Sequence, residues 1–199
     1  ATIIACLMYF SLGISILHIP FIGTFQLGMF FIPFAIFVIV AFANAVNITD
    51  GLDGLASGTL MISLFGLWFL SAAILDVPLS LFLVLWIGSL VSFLYFNVFP
   101  ARIFMGDVGA MAFGATLAVV GLLLGKVIAL VVIGFVFVFE ISTSFIQLMS
   151  KRFLKRKIFA AAPFHLTLQH IGWEEPKIVQ RVWLMQIMLT LFGVWLAVI

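Results

Sequence analysis

Asp50 and Asp53 stand three residues apart in the stretch NAVNITDGLDGLASG (Asn44 to Gly58), among Asn44, Asn47 and a run of glycines. One helical turn sets both carboxylates on the same side. Carboxylates at close range repel unless a proton or a cation lies between them. Magnesium suits such a pair, because it takes one or two carboxylates together with phosphate oxygens and retained waters. The plainer alternative is capping: Thr49 or Asp50 would cap the helix that starts near Leu55, with Gly51 and Gly54 shaping the turn. Capping leaves the second aspartate and both asparagines without a purpose.

Two further stretches carry polar chemistry. In FNVFPARIFMGDVGA (Phe96 to Ala110), Asn97 ends one apolar run and Asp107 opens the next. Gly106 and Gly109 permit close backbone approach to a ligand, and a helix N-terminus at Asp107 also welcomes phosphate. An N-cap role for Asp107 is the alternative. Arg102 fits phosphate binding and membrane sidedness equally well. The connector 150–178 opens with KRFLKRKIF, which as a helix turns Phe153, Leu154 and Ile158 to lipid while its cations meet anionic headgroups; a topology anchor alone is the alternative. It continues as APFHLTLQHIGWEEPKIVQRVW (Ala162 to Trp183), where His165 and His170 can bind phosphate or move a proton. Glu174 and Glu175 with Pro176 read as the start of the last helix. Glu140 and Gln147 share one helix face inside an apolar run, and a carboxylate there needs a partner or a polar cavity.

The elements that position these groups are transmembrane. The chain is 66% hydrophobic and 8% charged, against about 25% charged in soluble domains. Runs near the roughly 20 residues needed to cross hydrocarbon predict an all-α, polytopic helical bundle in one domain, 1–199, with about seven spans: 1–18, 27–45, 57–76, 79–97, 108–124, 127–149 and 179–199. Connectors then alternate between two faces. Loops 46–56, 98–107 and 150–178 share one face, on or beside which fall Arg102, Lys151, Arg152, Lys155, Arg156, Lys157, Lys177 and Arg181; only Lys126 falls on the other. The positive-inside rule makes the first face cytoplasmic, and every polar motif lands there. His18 and Asp76 belong to the opposite face and receive no role. The single cysteine, Cys6, excludes an internal disulfide. No P-loop, zinc spacing or nucleophile elbow is present, and the basic cluster is too local for nucleic acid. The first residues lack a signal peptide's basic start and cleavage site; the chain begins inside an apolar run, as expected of a piece of a longer protein.

NAVNITDGLDGLASG, FPARIFMGDVGA, RKIF followed by APFH, and GWEEPKIVQRVW resemble the phospho-N-acetylmuramoyl-pentapeptide transferase (MraY) family. That family lies within the polyprenyl-phosphate N-acetylhexosamine-1-phosphate transferases. The resemblance covers nearly the whole chain, in order. It implies a ten-span enzyme of the bacterial cytoplasmic membrane, of which this chain supplies spans four to ten. It implies transfer of phospho-MurNAc-pentapeptide from UDP-MurNAc-pentapeptide to undecaprenyl phosphate, giving lipid I and UMP, with Mg2+ and with a homodimer as the assembly. Asp107 matches a magnesium ligand. Asn47, Asp50 and Asp53 match the loop that meets nucleotide and metal, Asn97 precedes the metal loop, Glu140 and Gln147 match polar positions of the penultimate span, and His165 opens a histidine run. The expected catalytic set is Asp50, Asp53, Asp107 and His165, gathered around one cation, with Asn44, Asn47, Asn97, Glu140, Gln147 and His170 as substrate contacts.

Two departures stand out. Leu166 and Thr167 occupy positions where the family has two more histidines, and His170 is displaced. An earlier cytoplasmic loop of the family, bearing an aspartate pair and a lysine, has no counterpart, so this polypeptide alone is expected to be inactive. The rival readings are a UDP-GlcNAc:polyprenyl-phosphate transferase, a transporter or channel, and a non-catalytic remnant. Most polar groups gather at one face instead of lining a path at the midplane, which disfavours transport.

Overall fold

A computed structural model describes residues 1–199. The expected class is observed: the chain is helical apart from one short hairpin. Five helices are long and apolar enough to span a membrane: α2 (Phe31–Thr49, entered through a turn at Gly28–Phe30), α3 (Leu55–Ala73), α4 (Val77–Asn97), α5 (Gly106–Leu123) and α9 (Glu175–Val198). Between them lie α6 (Val127–Ile133), α7 (Phe135–Met149) and the short α8 (Phe164–His170). Many large apolar side chains point outward, such as Phe37 at 70% and Leu85 at 72% exposure. A soluble surface rarely tolerates that; here the outside is lipid.

The expected first span, 1–18, is not one helix. Thr2–Phe10 forms α1, only nine residues long. The chain then turns through Gly13, at φ 67°, into strands β1 (Ile16–Ile19) and β2 (Gly23–Gln26), paired antiparallel from Ile16 opposite Gln26 to Ile19 opposite Gly23. The turn at Phe21 and Gly23 takes left-handed backbone at both residues. Apolar composition alone read this segment as a span, although glycine, proline and β-branched residues favour the hairpin.

The sixth crossing is broken. α6 and α7 meet at Gly134 with a bend of 78°, so counting the pair as one span gives six where seven were expected. A break frees backbone carbonyls, which hydrocarbon cannot solvate. The Ile133 carbonyl accepts from Ser63 Oγ at 3.1 Å and from Gln186 Nε2, and Gln186 Nε2 also lies 3.0 Å from Ser63 Oγ and from Thr190 Oγ1. α3 and α9 thus supply the hydrogen bonds the broken helix lacks. Gln186→Leu is expected to lower stability by about 1–2 kcal/mol, read as a lower thermal midpoint in detergent.

α2 and α5 pack most closely. α5 presents Ala110, Gly114 and Ala118, all fully or almost fully buried. A Cβ at Gly114 would lie 2.5 Å from the Phe42 carbonyl oxygen and 2.8 Å from Ala43 Cα. Small residues at four-residue spacing let backbones touch. That crossing brings the C-terminal end of α2 to the N-terminal end of α5.

The connectors sort into two ends. At one, His18 N–H donates to the Gly125 carbonyl at 3.0 Å, hanging the hairpin from the α5–α6 turn. At the other, Ala101 N–H donates to Asp53 Oδ2 at 2.8 Å, and Asp53 N–H donates to Glu175 Oε1 at 2.6 Å. The three polar loops therefore gather at one end. The basic stretch is helical only to Leu154, where Lys155 takes a positive φ of 55°. Ile158 consequently does not continue the face of Phe153 and Leu154.

Candidate active site

α2 ends at Thr49, whose hydroxyl is spent on the Ala45 carbonyl at 2.7 Å. Asp50 is its C-cap. Gly54, at φ 79°, is the N-cap of α3, and no side chain caps that helix. Asp107 sits in the first turn of α5, again without a side-chain cap bond. Capping therefore does not account for either Asp50 or Asp107.

Asn47, Asp50, Asp53, Asn97 and Asp107 line one polar pocket of about 240 Å³. Asp107 Oδ1 accepts from Asn47 Nδ2 at 3.0 Å, which orients the carboxylate and leaves Oδ2 unengaged. Burial pushes the Asp50 carboxyl above the ordinary carboxylate range, and the neighbouring Asp107 charge pushes it further the same way. Asn97 is buried; its Oδ1 accepts from Ser57 Oγ at 2.6 Å and its Nδ2 donates to the Ile103 carbonyl at 2.9 Å. Asn97 thus ties the end of α4 to Ile103, in the loop that leads to Asp107.

His165 is not among the residues lining this pocket. Glu140 draws it aside: His165 Nδ1 lies 3.2 Å from Glu140 Oε2, and His165 N–H donates to Glu140 Oε1 at 3.2 Å. The ring tucks beneath the aspartate loop, where a Cβ at Gly51 would meet His165 Nε2 at 2.5 Å. Gln147 is likewise committed to backbone, donating to the Phe159 carbonyl at 2.8 Å and accepting from Ile158 and Phe159 N–H groups at 3.0 and 3.1 Å. Of the four side chains expected around one cation, only the three aspartates line a common pocket, and no three His, Cys, Asp or Glu side chains come together as a metal-holding group. Asn44 Nδ2 donates to the Val40 carbonyl and lines a separate apolar cavity of about 690 Å³ between α2, α6 and α7. His170 is exposed at the end of α8, away from both cavities.

The donor set suits a small hard cation. Asp50 and Asp107 are close enough for one charge to perturb the other. They offer only oxygen ligands, and magnesium characteristically takes one or two carboxylates and completes its shell with waters and phosphate oxygens. Burial of the Asp50 carboxylate, with the Asp107 charge adding to it, also fixes a sign. The folded-state value of Asp50 is raised, so the folded protein binds more protons than the unfolded chain in the window above the unfolded value of 3.8. Stability then falls as pH rises through that window. In cation-free detergent, Asp50→Asn is expected to raise the thermal midpoint at neutral pH; an unchanged or lower midpoint would show that burying this charge beside Asp107 costs nothing.

Several contributors had no signal as site residues in the sequence. Glu175 reads only as a helix-starting acid, yet it holds Asp53 by its backbone. Trp183 Nε1 donates to the Gly54 carbonyl at 3.1 Å across α3 and α9. Ser57 looks like one more small residue of an apolar helix. Each acts across a distance in sequence that local pattern does not reveal.

The family described as glycosyl transferase family 4 matches residues 1–125. Among curated proteins, the phospho-N-acetylmuramoyl-pentapeptide-transferase of Clostridium perfringens is 41% identical over 172 residues, 86% of this chain and 54% of that protein. Its counterpart in Staphylococcus epidermidis is 38% identical, covering 92% of this chain and 57% of that protein. The Aquifex aeolicus protein of the same name is 39% identical, covering 98% of this chain and 59% of that protein. The chain thus spans somewhat over half the length of these relatives. With that family's domain matching residues 1–125, more than half of its length, the chain belongs to glycosyl transferase family 4.

Proposed function

We propose that the complete protein transfers phospho-MurNAc-pentapeptide from UDP-MurNAc-pentapeptide to undecaprenyl phosphate, giving lipid I and UMP, on the cytoplasmic face of a bacterial membrane. The observation that carries this reading is the three-aspartate pocket at one end of an apolar bundle, with the 690 Å³ apolar cavity opening on the same helix, α2. The first accommodates a charged phosphate chemistry and the second an isoprenoid tail. The names of the relatives agree with that pairing.

Asp107 through its unengaged oxygen, with Asp50 beside it, would hold Mg2+. When bound, that ion supplies charge neutralisation and Lewis-acid polarisation of the donor pyrophosphate. Asn47 fixes the Asp107 carboxylate so that little reorganises on binding. The first-turn N–H groups of α5 offer partial positive charge to a phosphate. Asp53, tied to Ala101 and Glu175, binds the 98–105 loop and α9 to the aspartate loop and so sets the width of the pocket. An oxygen of the lipid phosphate attacks the β-phosphorus of the donor. The bond from that phosphorus to the UMP oxygen breaks, and UMP leaves with the electron pair. The attacking phosphate is already ionised, so the residues need only align and screen two anions, which is where most acceleration in phosphoryl transfer arises.

The decisive test offers radiolabelled UDP-MurNAc-pentapeptide and UDP-GlcNAc separately to the complete protein in undecaprenyl-phosphate micelles, with and without magnesium. Label entering lipid from the first donor alone, and only with magnesium, is expected. Label entering from UDP-GlcNAc would reassign the sugar, to which Leu166 and Thr167 are relevant. Thr167 Oγ1 donates to the Ala161 carbonyl, so this position serves the loop in place of a histidine. Within the site, Gly51→Ala drives a methyl into the buried His165 ring. It is expected to cut turnover about 10- to 100-fold by displacing the aspartate loop, measured in the same assay.

A further inference from the structure

We propose that Glu140 is a positioning residue that acts solely through His165, presenting His165 Nε2 to the underside of the Asp50–Asp53 loop. Both side chains are buried, at 3% and 2% exposure. A buried carboxylate is costly unless its oxygens are engaged, and those of Glu140 are engaged by one residue only: His165 through its backbone N–H and its ring Nδ1. A carboxylate only accepts, so Nδ1 carries a proton and the ring's other nitrogen is the one turned to Gly51. Glycine at position 51 is what makes room for it. The backbone anchor holds the start of α8 while the ring anchor sets the tautomer, so one side chain fixes where the ring is and which face of its chemistry it offers. Partners that orient metal-bound histidines carry about 10- to 100-fold of affinity or activity, and a loss of that order is expected for this orienting contact.

Other features led less far. The cavity of about 390 Å³ beside Glu140, rimmed by Arg181, shows nothing of what fills it. The buried His18 Nδ1 without a partner borders none of the cavities described above.

The activity arm rests on the transferase reading; the spectroscopic arm does not. In the complete protein with ¹⁵N-labelled histidine, the His165 signal is expected in the form protonated at Nδ1, and Glu140→Gln is expected to broaden or shift it while the His18 and His170 signals stay in place. A His165 protonated only at Nε2 in the unmodified protein overturns the proposal, whether or not turnover is seen. In the donor assay, Glu140→Gln is expected to lower kcat about 10- to 100-fold with KM within about twofold. In a His165→Gln background the same change is expected to cost less than about twofold. Equal losses in both backgrounds, or a loss confined to KM, would make Glu140 an independent substrate contact and overturn the proposal. If unmodified protein transfers no sugar while the Nδ1 signature is present, it is the transferase reading that fails and the positioning arrangement that stands.

Discussion

Asp107→Asn in the complete protein is expected to reduce transfer on the order of 10³-fold, the scale of removing a principal electrostatic contact at a reacting phosphate. The substitution is nearly isosteric. Asn47 Nδ2 can still donate to the amide oxygen, so the α2–α5 contact at 3.0 Å is retained. What is lost is one negative charge and one cation-binding oxygen. Two signatures separate this from general damage. The magnesium concentration needed for half-maximal rate rises, and the thermal midpoint without magnesium rises too, because the neighbouring charge that perturbs Asp50 has gone. Turnover near that of the unmodified protein would remove Asp107 from the metal site. A fallen midpoint together with lost activity would assign it to folding.

Gly114→Leu is expected to abolish stable assembly of the bundle, and Gly114→Ala to cost about 1–3 kcal/mol as overpacking. The reason is the identity of the atoms met. The added carbon would press on the Phe42 carbonyl and Ala43 Cα, backbone that cannot rotate away as a side-chain tip can. Relief requires α2 and α5 to separate, and the separation is felt at their joined ends, where Asn47 meets Asp107. The alanine variant should therefore lose activity beyond its loss of stability when assayed well below its melting point. Gly88, open on α4 with nothing within 4 Å of its added carbon, is the control: Gly88→Ala should leave both quantities unchanged. A Gly114→Ala protein with the original midpoint and rate would show that the crossing is looser than its geometry.

Much of the architecture was legible because lipid makes strong demands on sequence. Long apolar runs marked the spans of α2 to α5 and α9, and placing charged loops by alternation put all the polar motifs at one end, where the bond from Ala101 to Asp53 joins two of them. The hairpin at Ile16–Gln26 escaped because its residues are as apolar as those of a span; length was a poor guide where glycine and proline set the backbone. The broken α6–α7 helix escaped for a different reason. Its break depends on hydrogen bonds supplied by Ser63 and Gln186, over fifty residues away in either direction. In the candidate site, residue types and spacing singled out the aspartates and Asn47, which the fold brings to one pocket. Glu140 and Gln147 were read as substrate contacts, Glu140 as a carboxylate needing a partner or a polar cavity; in the fold they bond His165 and the Ile158–Phe159 backbone, partners that composition does not reveal. Asn97 was read toward the substrate, whereas its amide is occupied by Ser57 and Ile103.

The far end of the molecule has its own consequence. Between the aspartates and the hairpin lies a continuous apolar interior that includes Leu64, Leu67, Leu117 and Leu130, all fully buried, and within it Ser63 and Gln186 are turned on the broken helix. A diphosphate headgroup formed in the pocket has no watered passage through such an interior. On the proposed reaction, the finished glycolipid is left in the leaflet that supplied its carrier.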